Sequence, residues 1–370
     1  MPQIIDLPDL VASLPAEKRR LVTRIFRISA ATGSLVPPES MRNWIVEHFG
    51  PTELVKRQRI LKVTNLVTME GTLFNELRAS RPMQVGDKSY VELSQAITSS
   101  LNGPFCRPRE MTPEDTFGRV RGKHCITASN VAKFDVFHGL VIFDEHDPLK
   151  FTEEEVIDYI DTALRWAAEV NKADHDAKYF FFMWNCLWRS GASVVHGHFQ
   201  LTMSRDMHYG RVEHLRRTAS AYEQKYGSSY FEDLFEVHDC LGLAMKNGET
   251  KVLSYLTPIK EKEVLLIADS LDRSFKKTVY KVIRGLVDTL GTVSFNLAAY
   301  IPPMSSTNED WTGFPVMARI VDRGDPSIRT ADIGAMELYA SSVVSSDPFR
   351  IAESLRAYVD RSQGIKPPGQ

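Results

Sequence analysis

The sequence predicts an α+β protein in which one unit of strand, helix, strand and strand is built twice behind a helical N-terminal layer. Three observations predict it. Apolar runs of strand length alternate with amphipathic stretches of helix length. Their order recurs in the second half of the chain, which is the mark of a duplicated unit. The first 62 residues carry helix entry and exit signals and match neither half. The predicted organisation is 1–62 as an N-terminal helical extension, 63–210 as the first unit and 211–370 as the second.

In chain order, "SLPAEKRRLVTRIFRISAATG" opens at Ser13-Leu14-Pro15 and is expected to stay helical to Gly33. "PPESMRNWIVEHFG" repeats the pattern from Pro37-Pro38 to Gly50. Residues 80–120, with "NGPFCRPREMTPED", read as a long loop. "HGLVIFDEHDPLKF" is an apolar strand ending in a polar turn. Thr152 and Glu155 form a capping box for the helix "TEEEVIDYIDTALRWAAEV". "KYFFFMWNCLW" and "SGASVVHGHFQLTM" supply two more strands, and two helical segments fill 210–247. The order then returns with the strand "EVLLIADS", the helix "SFKKTVYKVIRGLVDTL" and the strands "VSFNLAAYI" and "FPVMARIVD". Asn296 sits in an apolar setting like that of Asn185, while Met317, Arg319 and Val321 stand in the last strand without a histidine. Each half then holds one nucleotide-sized cleft, and only the first carries imidazoles.

Whole-chain properties narrow the function. A formal net charge of −2 gives no support to a nucleic-acid or anionic-membrane partner. No segment reaches the roughly 18 uninterrupted apolar residues of a membrane span. The opening "MPQIIDLPDL" lacks the basic and apolar regions of a secretory leader. Cys106, Cys125, Cys186 and Cys240 have no paired spacing, which argues against a disulfide framework. A soluble cytoplasmic protein is expected.

Chemistry concentrates in residues 190–203. On a strand, His196, His198 and Gln200 share one face, about 7 Å apart along it, while Val195, Phe199 and Leu201 pack behind. Two imidazoles and an amide on one buried face must find partners, or each costs a few kcal/mol. The bland alternative is a pair of satisfied core histidines. Metal ligation and nucleophilic attack on phosphorus both suit the pair, although Gln200 is a poor zinc ligand. For the second chemistry, a neutral imidazole would carry a nucleotidyl group covalently. Gly191, Ala192 and Ser193 would let phosphate oxygens approach backbone amides and a hydroxyl. Ser193 is not a hydrolase elbow, because Val195 stands where that motif needs glycine.

The run Asn185-x10-His196-x-His198-x-Gln200, with Gly191 and Ser193 inside it, resembles the galactose-1-phosphate uridylyltransferase branch of the histidine-triad superfamily. Diadenosine-tetraphosphate phosphorylases and nucleotide-sugar phosphorylases belong to the same branch. The resemblance covers roughly residues 70–360 and implies duplicated histidine-triad-like units, each an antiparallel sheet with packed helices. It implies that His198 is the nucleophile, that Gln200 binds the phosphate of the intermediate, and that Asn185 and Ser193 contact phosphates or position the loop. "FNELRASRP" is similar to an arginine motif of the family, so Arg78 and Arg81 become nucleotide or phosphate contacts. "SNVAKFDVFHGLVIFDEH" places Asn130 near the nucleotide, and its Lys133-Phe134 resembles the phosphorylase members. "GAMELYASSVVSSDPFRIAESLRA" is similar to the uridylyltransferase C-terminus, with Glu337, displaced by one residue, as the sugar contact. Zinc in the family is held by Cys-x-x-Cys and two histidines. Here Gly103 replaces the first cysteine, leaving Cys106, His146 and His196 as metal ligands with water as a fourth. The family's second metal site falls near "VMARIVD", whose residues cannot supply it.

The expected activity is nucleotidyl transfer in carbohydrate metabolism, from a nucleotide sugar to a sugar 1-phosphate. Gln200 stands where hydrolytic members carry a third imidazole, and it cannot shuttle a proton to or from water. The alternatives are a phosphorylase of a nucleotide sugar or dinucleotide that uses inorganic phosphate, and a non-catalytic nucleotide-binding protein. Family members commonly dimerise, so a homodimer is also expected.

Overall fold

The structure, a computed structural model, describes residues 2–78, 88–328 and 332–362. Its strands are β1 (Phe26–Ser34), β2 (Arg57–Asn65), β3 (Gly71–Phe74), β4 (Cys125–Ser129), β5 (Phe137–Phe143), β6 (Tyr179–Cys186) and β7 (His198–Ser204), followed by β8 (Ala244–Asn247), β9 (Thr250–Ser254), β10 (Val264–Ala268), β11 (Phe295–Tyr300), β12 (Val316–Asp322) and β13 (Ser342–Val344). Nine of them form one sheet in the order β4-β5-β7-β6-β11-β12-β10-β9-β8. Every neighbouring pair in it is antiparallel. The order β4-β5-β7-β6 is mirrored by β9-β10-β12-β11, so the duplicated unit is visible as two four-stranded halves. They meet at β6 and β11, with Asn185 opposite Asn296.

One face of the sheet is a continuous apolar core. Phe143, Phe182, Trp184, Phe199, Phe295, Leu297 and Ile320 are buried there under three helices, Glu153–Ala173, Arg273–Leu290 and Pro348–Ser362. Burying each such side chain is worth about 1.5–3 kcal/mol, which makes this face the main source of cohesion. The first helix starts where the sequence puts it: the Thr152 hydroxyl accepts from Glu155 N at 3.3 Å, and Thr152 N donates back to Glu155 Oε2 at 2.7 Å. Asp272 caps the second helix by accepting from Phe275 N at 2.8 Å. Among the described residues no helix is long and apolar enough to cross a membrane.

The opposite face differs between the halves. In the second half it is covered by helices Gly210–Tyr226 and Tyr230–Cys240 and by the N-terminal layer, whose Val22, Ile25, Leu61 and Val63 share a core with Leu253, Leu265 and Met317. In the first half the same face carries the site.

Three local expectations change. The helix expected to reach Gly33 ends at Ile25, and Phe26–Ser34 becomes β1. Its Ile28 pairs with Val63 and its Ala30 with Leu61. The contacts of β2 override a helical pattern that had run on by about two turns too many. Within the stretch read as a loop, Lys88–Ser99 is a helix. Each half also has an additional outer strand, β4 or β9, because short, almost wholly buried strands carry little alternation to read. The N-terminal layer thus keeps its helices and adds β1 and β2 to a four-stranded sheet, β1-β2-β3-β13.

Candidate active site

Between β6 and β7 the chain turns through Leu187, held at φ 67°, and Gly191, at φ 98°. Gly191 N–H donates to Trp188 O at 3.0 Å, so glycine occupies a left-handed position that closes a short turn. Ser193 follows on the exposed rim of this loop, and Ala192 is buried. The loop then locks onto the end of β5. Phe143 N donates to Gly197 O at 3.0 Å, and Gly197 N to His146 O at 3.2 Å.

These bonds orient both imidazoles. His198 Nδ1 lies 2.8 Å from His196 O, and a carbonyl can only accept, so Nδ1 carries the proton. Its Nε2 therefore holds the lone pair, and no described residue engages it. Burial drives the His198 pKa down to about 4, which keeps the ring neutral at ordinary pH. The Phe105 ring stands edge-on to it, 5.1 Å between centroids. Gln200, the next residue on this face, lies opposite Leu140 of β5 and Met183 of β6.

His196 faces a different way. Its Nε2 donates to Phe143 O at 2.8 Å, leaving the Nδ1 lone pair toward His146 Nδ1 (3.1 Å) and Cys106 Sγ (3.4 Å). His146 Nε2 lies 2.9 Å from Ile97 O, so its Nδ1 is unprotonated too. Cys106 Sγ sits 3.3 Å from that nitrogen. Three ligand atoms thus converge within 4.8 Å of one another. Burial lowers the His196 pKa as well.

The second half reaches into the site through the seam. Asn296 Nδ2 donates to Asn185 Oδ1 at 2.7 Å and to Ser190 O at 2.9 Å. Arg323 Nη1 in turn donates to Asn296 Oδ1 at 2.6 Å, and its Nε and Nη2 bind Asp332 at 2.7 and 2.8 Å. With its oxygen occupied, the Asn185 amide has its N–H groups left for other partners.

The remaining sequence candidates sit as follows. Asn130 follows β4 directly, where its Oδ1 accepts from Ala132 N at 3.0 Å and its Nδ2 lies 3.2 Å from His138 Nε2. Lys133 Nζ donates to Ser129 Oγ at 2.7 Å, and Phe134 stacks on His138 with centroids 4.3 Å apart. Arg78 belongs to the short 3-10 turn Glu76–Arg78 after β3. Arg81 lies outside the described residues. Glu337 caps its own helix, accepting from Gly334 N at 2.9 Å.

Sequence reasoning missed His138, Phe105, Arg323 and Asp332. His138 had a signal: it is a polar residue two before Leu140 on an apolar strand, and burial lowers its pKa while Gln200 approaches it. Phe105 meets His198 from more than 90 residues away, and Arg323 and Asp332 reach the site only through Asn296, so none of the three left one.

No family model and no curated protein matches the sequence. Solved structures do match in fold. An ADP-glucose phosphorylase from Arabidopsis thaliana with bound ADP-glucose superposes with a TM-score of 0.60 at 16% identity, covering 79% of this chain and 97% of that one. A galt-like protein from the same plant gives 0.54 at 14% identity, over 69% and 92%. A uridylyltransferase gives 0.53 at 14% identity, over 68% and 89%. The duplicated α+β fold expected from the sequence is the fold these proteins share with this chain.

Proposed function

We propose that the protein is a nucleotidyltransferase that moves a nucleoside monophosphate through His198. The observation that carries this reading is the state of one side chain: His198 is buried and neutral, its Nδ1 proton is held by His196 O, and its Nε2 lone pair is open. In the first step Nε2 attacks the α-phosphorus of a nucleotide sugar, a P–N bond forms, and the bond to the leaving phosphate ester breaks. That leaving group needs little protonation, since the second pKa of a phosphate monoester is about 6. In the second step a phosphate oxygen of the acceptor attacks the same phosphorus, and Nε2 departs with its lone pair. Asn185, oriented by Asn296, and Gln200 donate to the phosphoryl oxygens. Gln200 offers no proton shuttle for water, so transfer to phosphate outruns hydrolysis.

The acceptor in this reading is a sugar 1-phosphate, as the resemblance of residues 334–357 to the uridylyltransferase C-terminus implies. A second reading, inorganic phosphate as acceptor, is favoured by Glu337, whose carboxylate is committed to the Gly334 backbone rather than free to meet a sugar hydroxyl. The phosphorylase with bound ADP-glucose shares the fold over more of this chain, 79% against 68% for the uridylyltransferase.

In this reading Cys106, His146 and His196 hold zinc. The donor set suits it: a cysteine sulfur and two Nδ1 lone pairs converge, and each imidazole is fixed by a carbonyl on its other nitrogen. Zinc bound there would tie the Cys106 turn to the entrance of β7. The boundaries at 62 and 210 belong to the same proposal, with the chemistry in 63–210 and its positioning arm in 211–370.

The test is intact-protein mass spectrometry after brief incubation with UDP-glucose, UDP-galactose, ADP-glucose, GDP-glucose or diadenosine tetraphosphate, with His198→Ala alongside. An acid-labile nucleotidyl adduct in the parent alone is expected, and its mass identifies the base. Binding of these donors with no adduct would replace the reading with a non-catalytic nucleotide-binding protein.

A further inference from the structure

On the site face of the first half, β5 presents His138, Leu140 and Ile142 opposite Thr202, Gln200 and His198 of β7. Residues opposed on antiparallel strands share a face, so a histidine of β5 joins the amide and the imidazole of β7. Leu140 and Ile142 pack with Ile126, Ala128 and Phe105. His138, at the end of this apolar row, is fully buried, and Phe134 stacks on its ring. No step of the transfer reaction uses it.

The ring has one proton to place, because burial holds it neutral. The Phe134 backbone N–H points at Nδ1 from 2.9 Å and can only donate, so Nδ1 is the acceptor and the proton sits on Nε2. Asn130, close by, gives that proton no acceptor. Its amide is fixed by Ala132 N, which donates to Oδ1 at 3.0 Å, so the group 3.2 Å from Nε2 is Nδ2, itself a donor. An acceptor that lacks a donor lies on the same face. Gln200 Oε1 is buried and has no hydrogen-bond partner among the described residues. Gln200 and His138 are diagonal neighbours across β5 and β7, a separation of about 7–8 Å that long and aromatic side chains bridge. A buried donor and a buried acceptor left apart are both unfavourable, and one bond between them satisfies both.

We propose that His138 is the positioning residue for Gln200: its Nε2–H donates to Gln200 Oε1 and thereby turns the Gln200 amide N–H groups toward the phosphoryl oxygens of the nucleotide. Those oxygens only accept, so an amide turned the other way would set oxygen against oxygen. Gln200 is partly exposed while its Oε1 is not, so what the side chain shows to the site is not its oxygen. The Phe134 N–H selects the tautomer, and through it the turn between β4 and β5 sets the direction of an amide on β7. The role rests on the transfer reading and specifies which end of Gln200 that reaction uses.

The test is a double-mutant cycle on the full chain, read as the single-turnover rate of adduct formation with UDP-glucose and with ADP-glucose. His138→Phe keeps a ring for the Phe134 stack but removes the donor, and it should slow the parent about tenfold, the effect of one hydrogen bond. In a Gln200→Ala background the same change should cost less than about twofold, because the other end of the bond is gone. His138→Gln, whose amide can accept from Phe134 N and donate to Gln200, should recover most of the rate. A second readout needs no activity and stands even where His138→Phe fails to fold. Nitrogen-15 spectra of histidine-labelled parent should show His138, assigned by its absence from His138→Gln, protonated at Nε2 and bare at Nδ1. Its Nε2 signal should move in Gln200→Ala. Equal losses in the two backgrounds, no recovery in His138→Gln, an Nδ1-protonated ring or an unmoved Nε2 signal would overturn the proposal, while an adduct in the parent keeps the transfer reading. No adduct in the parent overturns the transfer reading, and the role of His138 falls with it.

Discussion

Gly197 separates the two histidines, and replacing it with alanine tests the geometry on which the candidate site rests. A Cβ there would fall 2.5 Å from Phe143 Cδ2, 3.2 Å from Cε2 and 3.4 Å from Cγ. Carbon atoms at rest stay about 3.5–4.0 Å apart, so roughly 1 Å of movement is required. Phe143 has nowhere to go: its ring stacks on Tyr159 at 3.7 Å with 5° between planes, and Trp184 and Phe199 abut it at 5.3 and 5.2 Å. The backbone of residues 196–198 must give instead, which strains the bonds from Phe143 N and to His146 O. Overpacking of this kind costs about 1–3 kcal/mol. A displacement near 1 Å at a reacting group costs about 100-fold in rate. Gly197→Ala is therefore expected to lower the urea-denaturation stability by that amount and to slow adduct formation more than the stability loss explains. Gly210→Ala, where an added Cβ meets nothing within 4 Å, serves as control. A Gly197→Ala protein within about 0.5 kcal/mol of the parent, with an unchanged single-turnover rate, would refute the reasoning.

Other perturbations give separate checks. Asn296→Asp keeps an acceptor for Arg323 but cannot donate to Asn185, so turnover should fall about 10- to 100-fold with little change in melting temperature; a parallel loss of both would make Asn296 merely structural. Cys106→Ala should reduce zinc, measured by inductively coupled plasma mass spectrometry after dialysis, from about one per chain to near none. Equal metal content in the two proteins would remove the zinc assignment. His208 and His238 are each lowered by burial to a pKa of about 4, against about 6.5 unfolded. Their neutral forms thus stabilise the fold above pH 6.5, and that contribution is lost as pH falls toward 4. At pH 5 the loss is about 2 kcal/mol for each residue. His238 shows why, since Nδ1 donates to Leu234 O while Nε2 accepts from Leu256 N, leaving no place for a second proton. His238→Gln should flatten the pH dependence of urea stability between pH 7 and 5, and an unaltered slope would contradict the assignment.

What could be read in the sequence had a local period. The alternation of His198 and Gln200 on β7 depends only on a two-residue repeat, and the Thr152–Glu155 cap on a three-residue spacing. His196, by contrast, lies before the strand and turns toward Cys106 and His146 instead of sharing that face. The duplicated order was legible because each long helix follows a strand and precedes two more. Partners set by sheet register were not legible. Nothing near Asn185 announces Asn296 as its neighbour, and the pair exists because β6 and β11 align at that register. Arg323 and Asp332 enter only through that pairing. The misread turn from Ile25 into β1 has a related cause: Phe26 and Ile28 suit either a helix stripe or a strand face, and only the partner β2 decides.

The same register shows what a half without the paired histidines contributes to the half that has them. A lone unit would end at β6 and expose that strand's edge to water, with the Asn185 amide free to rotate. Pairing β6 with β11 closes the edge, and Asn296 fixes the amide from the neighbouring strand. The orientation of Asn185 is in turn set by Arg323, whose guanidinium Asp332 holds on two nitrogens. Each link is a short, directed hydrogen bond, so the chain transmits position with little slack. The second half therefore acts on the first through geometry rather than chemistry, which also frees its own cleft to fill with Arg319, Glu263 and Glu70. One duplicated sheet thus supports two differently furnished faces, because the β6–β11 register joins the halves while the residues on each half's open face differ.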